Sequence, residues 1–349
     1  MHLRVETHLH YDLQVKLPYL SASKGCYRPW QFGISGLQTA GSVRPATLSP
    51  DGYDREGSYC RISVGVKSKS GKRPGHVYVL VSKACKYIKI GGTDYAPFRR
   101  IREINADEPY KRLGPWSLHD FRQVADWRKV ESAMLYAFRS KLVRWVEGQK
   151  ELFAVSPARA SKYLEQIDES LLVGKPKVDR AFQDEGFSDF LIDLFRTTAL
   201  LNWLDLQGIW TLNLFPSTAG GRYYTINIGL HEVAFTSLPA PGSAPFHMIL
   251  MDRLVRDHNV VSSWIRKRGG YFRNDRYASA LPRSTSVFFY GRFEEAREFL
   301  DLPGVRRAII AYWTEALLKR QESGGLSLFA RYHSWNGVAE LRKRISSIE

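Results

Sequence analysis

Two short runs, Gly75-His76-Val77-Tyr78-Val79-Leu80-Val81-Ser82 and Tyr87-Ile88-Lys89-Ile90-Gly91-Gly92, decide the fold; Lys83-Ala84-Cys85-Lys86 separates them. Both are rich in β-branched and aromatic residues, and a polar spacer of this length predicts an antiparallel hairpin. Downstream, Thr93 or Asp94 can cap a helix with Pro97 in its first turn and Phe98, Ile101 and Ile104 on one face. Phe121–Trp127 reads as a third strand. From Arg128 to Trp145 the apolar residues Val130, Ala133, Met134, Ala137, Phe138, Leu142 and Trp145 keep helical spacing. Glu151–Val155 is a further short strand. Ser156-Pro157 then opens a helix that runs to Leu172 and stops at Gly174-Lys175-Pro176.

Residues 75–174 therefore read as a small antiparallel sheet flanked by helices. Upstream, residues 3–17 alternate like a strand, 20–58 are rich in Gly, Ser and Pro, and 59–66 form a second strand before the basic linker KSKSGKRPG. Residues 1–70 are thus a β-rich amino-terminal segment. Residues 177–349 read as a second α+β domain. Its helices are expected at 187–206, 246–256, 294–300 and 305–320, and its strands at 209–214, 223–235 and 286–290. The fold class is α/β mixed (α+β).

The 349 residues carry a formal net charge of +16, with a sequence pI near 9.7. Such a surplus favours polyanions, nucleic acid first and an anionic membrane second, through counterion release and steering. Basic residues outnumber acidic ones in all three regions, so no single tail accounts for it. Cys26, Cys60 and Cys85 form no C-x-x-C pair, which argues against structural zinc and against a disulfide framework. The start, MHLRVETHLH, lacks the apolar core of a signal peptide, and no apolar run approaches ~18 residues. An intracellular, cytoplasmic protein without a membrane partner is expected.

Within 75–153, five features follow in order: Tyr78 on the first strand; Lys89-Ile90-Gly91 and Thr93 on the second; Arg99 and Arg100 on the next helix; Glu131 on a later helix; and Glu151-Leu152-Phe153 at the close. This ordered set resembles the GIY-YIG nuclease superfamily, in the branch whose second motif reads KIG. The resemblance implies that Tyr78 activates water and that Lys89 stands in for the second tyrosine. It further implies that Arg100 (with Arg99 as second choice) contacts the scissile phosphate and that Glu131 binds Mg²⁺ or Mn²⁺. Leu135 departs from the pattern, since many relatives carry a histidine four residues after the glutamate.

The residue types also make sense by themselves. Phosphodiester hydrolysis needs a nucleophilic water, charge neutralisation and help for the leaving oxygen. One carboxylate can hold Mg²⁺ beside waters and phosphate oxygens. Arginine offers a donor fork to two phosphate oxygens. A phenol titrates near ~10, so a neighbouring cation such as Lys89 is expected to lower it. Gly91-Gly92 would let a phosphate approach the backbone. Taken singly, Tyr78 and Lys89 are ordinary strand residues, and Arg100 and Glu131 ordinary helix charges.

Residues 253–283 interleave arginine and lysine with aromatics, including Trp264, Arg266, Lys267, Arg268, Tyr271, Arg273 and Arg276. That composition suits a nucleic-acid surface, and HNVVSSWIRKRGGYF looks like a turn followed by a recognition-type helix. The alternative is a solvated helix face over core aromatics. The sequence thus points to a metal-dependent endonuclease acting on nucleic acid, DNA before RNA, with target binding in 177–349 and room for a homo-oligomer. The competing reading is a catalytically inactive, GIY-YIG-like DNA-binding or regulatory protein.

Overall fold

In the computed structural model, strands β1 (Gly75–Ser82) and β2 (Ile88–Thr93) form the expected hairpin, with Tyr78 opposite Gly91 and Leu80 opposite Lys89. The structure describes residues 72–204, 208–217, 221–274 and 282–348. The strands expected at 3–17 and 59–66, and Arg276, lie outside the described residues.

Helix α1 (Pro97–Ala106) follows, with Pro97 in its first turn. Its N-cap is Ala96 rather than Thr93 or Asp94, because Thr93 still belongs to β2 and its hydroxyl accepts the Tyr95 N–H. β3 (Trp116–Val124) pairs with the other side of β1. Helix α2 (Trp127–Ala137) is capped by the Asp126 side chain. It ends well before Trp145, because the chain turns so that Leu142 bridges Phe153 and the Val143 N–H reaches the Leu152 carbonyl. β4 (Leu152–Phe153) adds to β2, giving the order β3-β1-β2-β4. Helix α3 (Pro157–Glu165), capped by Ser156, stops short of Leu172; a 3₁₀ turn covers Glu169–Leu171.

Alternation along β1 gives this sheet two buried faces. Val77 and Val79 pack with Ile88 and Ile90 against Val130 and Met134 of α2 and Ala160 and Leu164 of α3. Tyr78 and Leu80 lie on the other face, with Phe98, Ile101 and Ile104 of α1 and with Phe121.

The chain continues through α4 (Lys175–Gln183) and α5 (Glu185–Thr198) into β5 (Trp210–Leu214), β6 (Arg222–Ile228), β7 (His231–Ser237) and β8 (Phe246–Asp252). Then come α6 (Asn259–Lys267), β9 (Tyr271–Arg273), β10 (Ser284–Tyr290), α7 (Phe293–Asp301), α8 (Val305–Glu322) and α9 (Trp335–Ser346). The second sheet is ordered β5-β6-β7-β8-β10-β9, with every neighbouring pair antiparallel. The expected helix at 246–256 is instead strand β8 followed by a 3₁₀ turn. Phe-His-Met-Ile-Leu-Met is apolar nearly throughout, since the strand is buried on both faces between β7 and β10, and such a run has no distinguishing period. The molecule is mixed α/β, and among the described residues no helix is long and apolar enough to cross a membrane.

The described residues belong to one compact unit, and α9 contacts both of its sheets. The Asn336 amide accepts the Gln123 N–H at 2.8 Å and donates to the carbonyls of Gln123 and Val173, both at 2.9 Å, so it pairs with the outer edge of β3. Beside it, the Trp335 ring packs on His76, Phe98 and Phe121 at 5.1–6.3 Å between centroids. The buried face of β1 that carries Tyr78 is thus closed by α1 and by the start of α9.

Candidate active site

The site forms where β2 runs past the end of β4. β4 has only two residues, and its pairing with β2 extends no further than the Ile90 N–H, which donates to the Glu151 carbonyl at 2.9 Å. The next outward-pointing amide on that edge, Gly92 N–H, donates to the Glu131 side chain. A short strand leaves one backbone donor over, and the glutamate of α2 takes it. Gly91 is needed for a second reason: a Cβ there would lie 2.6 Å from the Tyr78 hydroxyl oxygen. At Gly92 a Cβ would meet the Trp127 ring at 2.3 Å.

Around this point four elements contribute charged or hydroxyl groups. Lys89, on β2, is fully buried, and its ammonium is paired with the Glu151 carboxylate. The same carboxylate oxygen accepts the Tyr110 hydroxyl at 3.0 Å, and the Lys89 Nζ sits 4.2 Å from the Tyr110 ring centroid. Tyr78, only 1% exposed, is hydrogen-bonded to Arg100. Arg100 donates to Glu103 at 3.0 Å, and Glu103 also accepts the Tyr95 hydroxyl at 2.6 Å. Arg99 is mostly exposed and salt-bridged to the other Glu103 oxygen at 3.3 Å, away from Tyr78. Of the two arginines, Arg100 is the one that reaches the cluster. Thr93 is buried and supports the turn into α1.

The electrostatics differ from the sequence expectation. Burial raises the Tyr78 phenol above its ordinary value; Glu151 reinforces that, Arg100 opposes it, and Glu131 adds a smaller push upward. The cation that opposes the rise is Arg100, while Lys89 is paired with Glu151. Burial also lowers the Lys89 ammonium, and Glu151 resists that shift. Glu131 is half-buried and raised, first by desolvation and then by Glu151, with Gly92, Lys89 and Arg128 opposing. Among the described residues, no group of three or more His, Cys, Asp or Glu side chains is arranged to hold a metal. The carboxylates of the cluster are Glu131, Glu151 and, behind Arg100, Glu103.

Tyr78, Lys89, Gly91, Arg100 and Glu131 are therefore brought together, as their order suggested. Sequence reasoning places Glu151 in the closing feature of the ordered set but gives it no chemical role, leaving Glu131 as the sole acid assigned to the site. The signal for Glu151 was its place before Leu152-Phe153, which matters only once Leu152 is known to pair with Lys89. Tyr110, Glu103 and Trp127 carried no such signal.

The basic stretch of the second sheet divides. Arg266 and Lys267 are exposed at the end of α6. Arg268 is engaged internally: it bridges Glu295 at 3.4 Å and Glu298 at 3.2 Å and stacks on Trp264 at 3.8 Å. Trp264 in turn is partly buried, packing on Phe289 and Phe299 with Arg268 over its ring. Tyr271 stays 49% exposed on edge strand β9, stacked on Phe288, with Arg273 over the same Phe288 ring.

Residues 75–168 match the model of the T5orf172 domain family. No curated protein and no solved structure matches the chain.

Proposed function

We propose that residues 75–174 form a GIY-YIG-type nuclease site that hydrolyses DNA phosphodiester bonds with Mg²⁺ or Mn²⁺, while residues 177–349 contribute target binding. The observation that carries this reading is the convergence of Tyr78, Lys89, Arg100 and Glu131, from β1, β2, α1 and α2, on one cluster at the open end of β2. The T5orf172 match spans the same four residues and supports a nuclease-related or nucleic-acid-binding role. The net charge of +16 supports a polyanionic partner.

A divalent cation fits the charge of the cluster. Lys89 and Arg100 supply two positive charges against the carboxylates of Glu131, Glu151 and Glu103, so an incoming phosphate meets a deficit of positive charge. Glu131 would hold the ion, since Glu151 is already engaged by Lys89 and Tyr110 and Glu103 by Arg100 and Tyr95. When bound, the metal supplies Lewis-acid neutralisation of the phosphate and help for the leaving oxygen.

The protein's own groups have separable tasks. Arg100, charged and partly exposed, donates to a non-bridging phosphate oxygen. Lys89 contributes positive charge to the cluster, with Glu151 opposing the downward pull of burial on its ammonium. Tyr78 faces the attacking water with its hydroxyl oxygen and takes its proton once the phenol has ionised, which Arg100 favours. The raised phenol and its near-complete burial support a second reading, DNA binding without cleavage. A plasmid-nicking assay with and without Mg²⁺ separates the two.

A further inference from the structure

The loop from Arg139 to Lys150 carries an exposed tryptophan beside the candidate site. Trp145 is 65% exposed, and its ring lies 5.9 Å from that of Tyr87. Tyr87 precedes β2 and sits two residues before Lys89, so alternation puts it on the Lys89 side of the strand, roughly 7 Å away. The pair therefore stands at the margin of the cluster formed by Lys89, Tyr110 and Glu151.

The loop is held in shape. The Gln149 side-chain amide donates to the Val143 carbonyl at 2.5 Å, and its oxygen accepts the N–H groups of Glu151 and Leu152, both at 2.9 Å. One side chain thus ties the base of the Trp145 turn to the residue that pairs with Lys89. A large aromatic left in water on a fixed loop loses little freedom when something stacks on it. Its surroundings are cationic: Arg139, Lys141, Arg144 and Lys150 are exposed on the same loop, against the single acid Glu147.

We infer that Trp145, backed by Tyr87, is a stacking platform for an unpaired base of the nucleic-acid strand that enters the site, with Lys141, Arg144 and Lys150 on its phosphates. This rests on the nucleic-acid reading above and narrows it to substrates with a single-stranded or unstacked segment. An aromatic face with arginine and lysine around it suits any base, so the chemistry recognised is an unpaired nucleotide of DNA or RNA. A duplex keeps its bases stacked inside and offers the ring nothing equivalent. A protein partner would find the ring but would have to answer four positive charges.

The test is a binding titration of the full chain, as wild type, W145A and W145F, on a single-stranded DNA oligonucleotide, the same sequence in RNA, and a blunt DNA duplex, each at several salt concentrations. W145A is expected to weaken single-strand binding at least ~5-fold, as loss of one base stack does, with W145F between the two and duplex binding unchanged. The salt slope of W145A stays that of wild type, because tryptophan carries no charge. R144A/K150A instead flattens the slope by about 0.7 for each phosphate no longer neutralised on single strands. The DNA and RNA arms tell which strand is preferred. Equal single-strand affinity of wild type and W145A overturns the inference and leaves the nuclease reading standing, and so does an equal loss on duplex. Wild-type protein that binds none of the three overturns both.

Discussion

The Lys89 ammonium, fully buried in β2, is neutralised by Glu151, sixty-two positions further along the chain and next to the two-residue strand β4. The pair ties β4, the Tyr110 ring and the Tyr78 side of the sheet to one another. Removing Glu151 strands a charge in the interior. Glu151→Leu should therefore destabilise the fold by about 3 kcal/mol, at the low end of what breaking a buried pair costs, because Glu151 itself still meets solvent. Lys89→Met/Glu151→Leu should be less destabilised than Glu151→Leu alone. A double-mutant cycle in urea checks this, and additive effects would show that the two side chains do not act as a pair.

Tyr78 gives a kinetic signature. If it takes the proton of the attacking water, Tyr78→Phe should slow cleavage on the order of 10²–10⁴-fold. Its phenol is raised by burial and by Glu151, so at neutral pH the ionised fraction is small and grows tenfold per pH unit. The wild-type rate should climb with pH from 6 to 9 without a plateau, and the climb should vanish in Tyr78→Phe. A threefold or smaller loss, with the pH profile unchanged, assigns the hydroxyl to packing.

How far these residues can be read from sequence follows from their spacing. The β1–β2 hairpin and α1 are legible because pattern, spacer and proline all act within a few residues. Tyr78, Lys89, Arg100 and Glu131 can be picked out because their order along the chain resembles a known arrangement. Glu151 stands in the same ordered set, but its role is not legible, since it depends on Leu152 pairing with Lys89, an approach that closes a long loop. The β8 segment reads as helix because a strand buried on both faces shows no alternation. Asn336 sealing the β3 edge is invisible for the same long-range reason, its partner Gln123 lying 213 positions away.

Target binding should depend on Arg266 and Lys267 but not on Arg268 in the same way. Neutralising the two exposed residues should weaken duplex binding and reduce the log–log salt slope by roughly two units, about 0.9 for each phosphate left without its cation. Arg268→Ala should instead lower stability, because Glu295 and Glu298 lose an ion pair and the Trp264 ring loses the guanidinium stacked on it. Binding titrations at several salt concentrations, alongside melting curves, separate the two effects. An unchanged slope in the double variant would pass target reading to other surfaces.

The seam at α9 should be acid-sensitive. Burial lowers His76 to about 4 and His333 to about 3, while both would titrate near 6.5 in the unfolded chain. Protons then bind the unfolded state preferentially, so stability is complete above ~6.5 and falls as pH drops toward 4, by on the order of 3 kcal/mol for each histidine. Melting temperatures between pH 7 and 4.5 test this. His333→Asn, which can still accept the Leu212 N–H that His333 accepts at 3.1 Å, should flatten the curve. An identical slope in that variant would place the acid sensitivity elsewhere.

The central claim, that the cluster at the open end of β2 cuts DNA through a divalent ion held by Glu131, meets its most direct test in one assay. Supercoiled plasmid is incubated with wild type and Glu131→Ala, in Mg²⁺ and in EDTA, and DNA affinity is measured on the same preparations. Wild type should nick or linearise the plasmid only with Mg²⁺. Glu131→Ala should fall below a few per cent of that rate while binding DNA as tightly. Cleavage that survives the substitution or the chelator, or a folded wild type that binds DNA and never cuts it with Mg²⁺ or Mn²⁺, would contradict the account.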